Sequence, residues 1–468
     1  MRRHGSIHYN AGMTSVTAGL AHDIAIIGGG ASGVLTAIHL LHAATTPVRI
    51  ALYEPQPTLA QGVAYATPYP EHLLNVPAQR MSAFNDQPGD FLDFLSPDPQ
   101  ERTALAPAFV ERHRYGEYLR DRLARARDAG IATLEHVTQP VTAMNRCAGG
   151  WRLQLADGAE AGCAAVVLAV GNRPRPLPAR GTSGLSADAS LSAWDFDAVR
   201  AVPPDARLCI VGSGLSMVDA VLSFVATGHR GAIHVLSRHG WLPQPHAAHA
   251  VADFDPAQLL PLDLRARLRF VRQRAREAAS AGVPWQAVME RLRPHGQALW
   301  RSLSGADQRR FLRHVVRLWD VHRHRVAGSV HAQMQALIDR GQLRLHRGRL
   351  DTVMQVGRCV QVGARVRGQP GLELEVDRVV NATGVEMRVQ TMRNPLLTGL
   401  LGEGHAQAGP HGIGIAADDA GRVLDAEGRA QPDLWVLGSL RIGSLWETTA
   451  IPELRGQAEA VARQALAR

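Results

Sequence analysis

Gly28-Gly29-Gly30-Ala31-Ser32-Gly33 directly follows a short apolar run that reads as a buried strand, and Gly212-Ser213-Gly214-Leu215-Ser216 repeats the arrangement in mid-chain. Such a loop gives a tight turn, lets the backbone approach a pyrophosphate, and aims the free N–H groups of the next helix at the phosphates. The chain is expected to hold two dinucleotides. The first involves Gly28, Gly30, Ala31, Ser32 and Gly33, and the second Gly212, Gly214, Leu215 and Ser216.

The residues after each loop separate the two ligands. Beyond the first, a helix expected over 34–42 leads into Val48-Arg49-Ile50-Ala51-Leu52-Tyr53, which ends at Glu54. A carboxylate there binds a ribose diol and repels a 2′-phosphate, so the site suits FAD or NAD and not NADP. The second unit reads as a strand over 207–211, a helix over 217–227 and a strand over 233–236 that ends in Ser237-Arg238. A hydroxyl and a guanidinium suit a phosphate, which Arg grips with two parallel charge-assisted hydrogen bonds. This site reads as NADPH; the plainer alternative is a surface arginine beside a structural turn.

At 468 residues the chain has room for about three domains. No apolar run approaches 18 residues, so no transmembrane helix is expected, and residues 1–20 lack the apolar core of a secretory signal. They read as a disordered extension, or as sequence upstream of a start at Met13. A formal charge of +9 raises nucleic acid as a partner, but every one of the 51 Lys-or-Arg positions is Arg. Alongside abundant Ala and Gly, that pattern fits compositional drift, and nucleic-acid binding is not expected. Cys147, Cys163, Cys209 and Cys359 are scattered without a CxxC pair, which points to a cytoplasmic protein and away from a flavin-dithiol reductase.

Between the loops, Gln61–Tyr65, His72–Ala78 and Met81-Ser82 form a loop-rich stretch after the ribose acid, where Asn75 and Met81 are candidates to face a flavin ring or, more plainly, a buried loop Asn and a packed Met. Val141 opens a strand-like run paired with Trp151–Leu155, and Ala164–Asn172 is a buried strand closing on Gly171. The pattern recurs at Asp377–Gly384, with Thr383 and Gly384 at its end; a small residue in such a place admits a cofactor closely. The stretch at about 243–345 carries Phe311, Val315, Leu318 and Trp319 at helical spacing and reads as a packed helical insertion. Its Arg293, His322, Arg323 and Arg325 are candidates to hold the carboxylate of an acidic substrate, or else form a solvated helix face. His246 and His249 have no third ligand at a matching offset, so no metal site is expected.

Taken together these readings give an α/β chain with two Rossmann-like dinucleotide-binding domains. The FAD domain is expected over 21–198 and 375–468, and the NADPH domain over 199–374, with the helical insertion inside it.

The motifs GGGASG (28–33), GVAY (62–65), HLLNVPAQRMS (72–82), AVGN (169–172), GSGLSMVD (212–219), LSRHGWLP (236–243), WDVHRHR (319–325), NATG (381–384) and LWETTAIPELRGQA (445–458) resemble a family. They are similar to the FAD/NAD(P)-binding proteins related to flavin N-hydroxylating monooxygenases, including L-aspartate N-monooxygenases that form nitrosuccinate. The resemblance runs from about Asp23 onward and implies FAD in the first site, NADPH in the second, and a nicotinamide domain inserted into the FAD domain. It further implies that Leu434–Ser439 is the strand facing the FAD pyrophosphate and ribityl chain, through Gly438, with Ser439 where many flavoproteins have Asp. Arg441, Glu447, Thr448 and Ile451 then fall on the flavin side, ahead of a helix whose N-terminus favours negative charge on the ring. Arg441 and Glu447 read alternatively as a mutual surface ion pair.

The implied chemistry is hydride transfer from NADPH to flavin, formation of a C4a-hydroperoxyflavin with O2, and N-hydroxylation of a small, acidic amine or amino acid in a pocket that excludes water. A homo-oligomer is left open. One departure is that Gly181–Asp188 lacks the histidine of the FxGxxxH signature of Baeyer–Villiger and microsomal-type relatives. Two other functions remain open: an NAD(P)H-dependent flavin reductase or dehydrogenase without oxygenation, and an FAD-binding regulatory or RNA-associated protein, for which the basic charge is the sole support.

Overall fold

The computed structural model describes residues 20–248 and 251–468. Residues 1–19 of the N-terminal extension expected over 1–20, and His249, lie outside the described residues.

Ile24–Ile27, Ile50–Tyr53 and Val166–Leu168 are buried, as parallel strands covered on both faces must be. His22–Ile27 forms the middle of the first sheet, parallel to Arg49–Tyr53 on one side and Glu160–Leu168 on the other. Ala430–Val436 joins the far edge of Glu160–Leu168, also in parallel. Helices Ala31–Ala43, Arg112–Ala129 and Ile451–Leu466 cover one face, where Leu35, Ile38, Tyr115, Tyr118, Leu454 and Val461 share a core with Ile26 and Leu52. The other face is closed by the antiparallel pair Val141–Cys147 and Gly150–Leu155 and by helix Pro395–Gly402.

The second sheet is wholly parallel, in the order Leu343–Arg347, Ile233–Ser237, Leu208–Val211, Arg378–Asn381, Ser190–Ser192. Two of its strands come from outside the 199–374 span expected for this domain. The chain enters the sheet through Ser190–Ser192 before it reaches the glycine loop, and leaves through Arg378–Asn381. The helical segment is also narrower than expected. Helix Gly328–Asp339 packs Val330, Met334 and Leu337 into the core of the second sheet, and strand Leu343–Arg347 is part of that sheet. The true insertion is the group of helices from Leu264–Ser280 to Val316–Arg323. A three-stranded antiparallel sheet, Arg349–Val356, Cys359–Arg365 and Leu372–Val376, comes next in the chain; no motif announces it, although Leu372-Glu373-Leu374-Glu375-Val376 alternates with the period of a half-exposed strand.

The two domains are bolted together by buried polar groups. His72, 1% exposed, receives a hydrogen bond from the Thr67 hydroxyl at Nδ1 (2.6 Å), and its Nε2 lies 2.9 Å from the Asp219 carbonyl and 3.0 Å from the Ser223 hydroxyl. Arg112 pairs with the Asp219 carboxylate at 2.6 Å and donates to Leu73 O at 2.9 Å. Thr67, His72 and Arg112 belong to the first domain, and Asp219 and Ser223 to the helix that starts at the second glycine loop.

Candidate functional site: two dinucleotide cradles and a buried arginine cluster

The two glycine loops are built by the same backbone device. Gly28 and Gly212 have φ of +109° and +112°, and a Cβ on either would sit 2.3 Å from Ala169 O or 2.2 Å from Ala382 O respectively. In each domain the first loop glycine thus lies against the backbone that leaves the neighbouring parallel strand, at the strands' carboxyl edge where dinucleotides bind. Neither Gly30 nor Gly214 has a side chain that caps the helix it precedes, so the first N–H groups stay free for an anion.

Around the first loop, Glu54 follows its strand as expected and is held by hydrogen bonds from Gly29 N–H (2.8 Å) and Gln56 N–H (3.1 Å). Gly171 has open space where a side chain would stand. Gly438 follows strand Ala430–Val436 and is fixed by a residue the sequence did not single out. Gln457, in mid-helix, accepts from Gly438 N–H (3.1 Å) and donates to the fully buried Thr448. The hydroxyl of Ser32 faces Gly438, and Ile451 opens the C-terminal helix without a side-chain cap. Val141 starts the antiparallel pair, packed at the edge of the second-face core. These parts fit a dinucleotide carrying a free ribose diol.

The second cradle differs in charge. The Ser237 hydroxyl bonds to that of Ser213 (3.0 Å) and accepts from Gly240 N–H (3.0 Å). Burial and the neighbouring Arg317, Arg175 and Arg349 guanidiniums pull the Arg238 pKa below its ordinary value. Thr383, hydrogen-bonded to Asn381 Oδ1, and Gly384, with open space beside it, end the adjacent strand. Leu215 and Ser216 form the first turn of the helix. Where the first loop has Gly33, this loop has the buried Met217, so here the helix does not press on the turn as closely.

The substrate candidates come together in part. Arg325 is 2% exposed and pairs with Glu290, which Arg80 also contacts at 3.0 Å. Arg293 lies 3.7 Å from Glu453 in the first turn of the C-terminal helix, and Arg323 lies 2.6 Å from Glu447. These buried arginines are not a solvated helix face. Burial alone would raise the Glu290 pKa, but Arg325 with Arg80 and Arg293 holds it down at about 2. Arg325 Nε and Nη1, Arg293 Nη2 and Arg323 Nε are buried donors without a hydrogen-bond acceptor. Such donors are expensive unless an anion meets them. His322 stands apart, turned to Leu318 O (2.8 Å) and against Trp285.

Of the remaining candidates, Asn75 gives its carbonyl to His246 Nε2 (3.1 Å). Burial, with Arg325 nearby, holds the His246 pKa at about 4. Met81 is packed in the first core. Arg441 is buried and donates to Asp418 O (2.8 Å), and burial lowers its pKa to about 10. The alternative of an Arg441–Glu447 ion pair is not what forms: Glu447 is engaged by Trp319 Nε1 (2.6 Å) and Arg323. Trp319, Trp300, Phe311 and Trp446 make an apolar wall beside it.

Residues 25–173 match the model of a family described as FAD-NAD(P)-binding. The first domain is an FAD-NAD(P)-binding domain. No curated protein matches the chain in sequence. Among solved structures, the ornithine hydroxylase of Pseudomonas aeruginosa is 16% identical, with 95% of this chain and 99% of that chain covered at a TM-score of 0.67. The L-lysine 6-monooxygenase of Pseudomonas syringae is 18% identical over 95% and 99% (TM-score 0.66), and the Kutzneria sp. 744 ornithine N-hydroxylase, solved with reduced FAD, NADP+ and L-ornithine, 16% identical over 95% and 98% (TM-score 0.62). The chain thus shares the fold of these solved structures over nearly its whole length, with the FAD-NAD(P)-binding match in its first part. Among the described residues no helix is long and apolar enough to cross a membrane.

Proposed function

We propose that this protein is an FAD- and NADPH-dependent monooxygenase that N-hydroxylates a small, acidic amine. The observation that carries the reading is the buried cluster of Arg293, Arg323 and Arg325, with Glu453, Glu447 and Glu290 as their respective partners, near the start of the C-terminal helix. Its unpartnered donors support this reading, because a substrate carboxylate would meet them. Glu54 at the first site favours FAD, and the four arginines at the second favour a nucleotide with a 2′-phosphate, which adds up to about two negative charges.

Bound FAD supplies the hydride acceptor and the centre at which O2 is activated. The chain's own residues position and exclude. Arg293, Arg323 and Arg325 orient the substrate through its carboxylate. The Trp300–Trp446 stack and Phe311 keep that side dry, which protects reactive oxygen species from water. His246, neutral at working pH because of its low pKa, adds no charge to the cluster.

A plain flavin reductase would need somewhere to send electrons. The four cysteines are scattered without a CxxC pair, and burial pushes the thiols of Cys163 and Cys209 up to about 12. The test is oxygen uptake by the purified protein with NADPH, with and without L-aspartate and a panel of other amines, with hydrogen peroxide quantified alongside. Uptake that rises with one amine and yields little peroxide is the expected result. Uptake that goes wholly to peroxide with every amine would move the assignment to the reductase.

A further inference from the structure

Four arginines lie around the second dinucleotide cradle, brought there by backbone ties between their segments. Arg238 is exposed at the end of its strand, and the charges of Arg317, Arg175 and Arg349 act on it; those of Arg238, Arg347 and Arg317 act on the neighbouring His239. Among the described residues, Arg175, Arg238 and Arg349 form no ion pair. Three of the four are tied by backbone to the second sheet. Arg238 follows the strand Ile233–Ser237. Arg349 follows Gly348, whose N–H donates to Ser237 O at 2.9 Å, and Arg175 N–H donates to Gly384 O at 3.0 Å.

Arg317 comes from elsewhere. It lies in the first turn of helix Val316–Arg323 in the insertion, and that helix is tied to the chain after Arg238 by Gln244 N–H to Val321 O (3.4 Å) and by the Pro245–Val326 bridge beyond it. Its one ion pair is within its own helix, to Asp320 at 3.1 Å. Like charges on one rim repel, and an anion bound among them relieves the repulsion.

We propose that Arg317 is a ligand of the nucleotide's phosphates, supplied by the helical insertion, so that the insertion takes part in choosing the phosphorylated nucleotide. The inference rests on reading the second cradle as an NADPH site. It also gives the insertion a second task, because the same helix carries Trp319 and Arg323 to Glu447. Phosphate binding at one end of the helix then steadies the substrate-side contact at the other.

The experiment is calorimetric titration of 2′,5′-ADP and 5′-AMP into the full-length FAD-loaded protein and its R238A, R317A and D320N variants. Wild type is expected to prefer 2′,5′-ADP, and R238A and R317A each to bind it about ten-fold more weakly with little change for 5′-AMP, as expected for loss of one charged hydrogen-bond donor. D320N, which frees Arg317, is expected to bind at least as tightly as wild type. Hydrogen exchange on residues 316–323 should slow on addition of 2′,5′-ADP in wild type and not in R317A. The Arg317 side chain is 45% exposed, so R317A should fold; its flavin content and melting temperature check this. If R317A binds as wild type while R238A loses affinity, Arg317 merely partners Asp320 and the proposal falls while the NADPH reading stands. If wild type does not distinguish 2′,5′-ADP from 5′-AMP, both fall.

Discussion

Arg323 Nε stands 2.6 Å from Glu447 Oε2 with both side chains about nine-tenths buried, yet the N–H is not aimed at the carboxylate, whose hydrogen bond comes instead from Trp319. Glu447 and Trp446 also hold φ of +58° and +40°, a strained pair for residues with side chains. The contact is therefore charge against charge without alignment, and Arg323 keeps a donor to offer. A double-mutant cycle on R323M and E447Q, read by chemical denaturation, should give a coupling of about 1–3 kcal/mol. A coupling near zero would mean the contact is incidental.

The paired glycines predict separable losses. G28A drives a methyl group into the Ala169 carbonyl and should yield protein without bound flavin. G212A meets Ala382 in the same way and should keep its flavin but bind NADPH at least about ten-fold more weakly. Absorbance of the purified variants and nucleotide titration check both. Flavin loss in G212A with retention in G28A would reverse the assignment of the cradles.

Arg293 has the loosest carboxylate contact in the buried cluster, 3.7 Å from Glu453. R293Q should raise KM for the acidic amine about ten-fold or more with a smaller change in kcat, and leave NADPH oxidation without amine unchanged. An equal effect on neutral amines would show that the residue acts through the fold and not through a substrate carboxylate.

The pH dependence of stability is set by the histidines. Burial lowers the pKa of His39, His72, His229, His234 and His346, and that of His246 to about 4. The unfolded chain binds protons at these sites near pH 6.5 and the native state does not, so stability should fall as pH drops below about 6.5. Glu290 acts in a lower window, because its contribution is lost only as pH falls from the ordinary carboxylate range through about 2. Thermal melts from pH 8 to pH 4 should show the histidine phase; a flat profile would contradict it. H246F should reduce the slope.

Local pattern carried far in this chain. Glu54 and Arg238 could be placed at strand ends from the sequence because a Rossmann unit ties glycine loop, helix and second strand into one short stretch. The arginines at 293, 323 and 325 could be named but not placed, since a solvated helix face and a buried cluster share the same spacing. What resolves them is distant: Glu290, Glu453 and Arg80 lie on three other segments. Gln457 was hidden for a related reason. A polar residue inside an amphipathic helix gives no sign that it will bridge Gly438 and Thr448. Arg175 lies in a loop and Arg349 opens a strand of the antiparallel sheet, and where they meet depends on sheet order, which parallel crossovers do not reveal in the sequence.

The bolt at His72 bears on how electrons would travel. Rotating the second domain about its two connecting segments would strip His72 of Asp219 and Ser223 and leave Asp219 without Arg112, at a cost of several kcal/mol for buried polar groups left unmatched. A swivelling domain, the usual way to bring a nicotinamide and a distant acceptor into turn, would carry that cost in this chain. The spacing between its two cradles is then a property of the folded state, set before either nucleotide arrives.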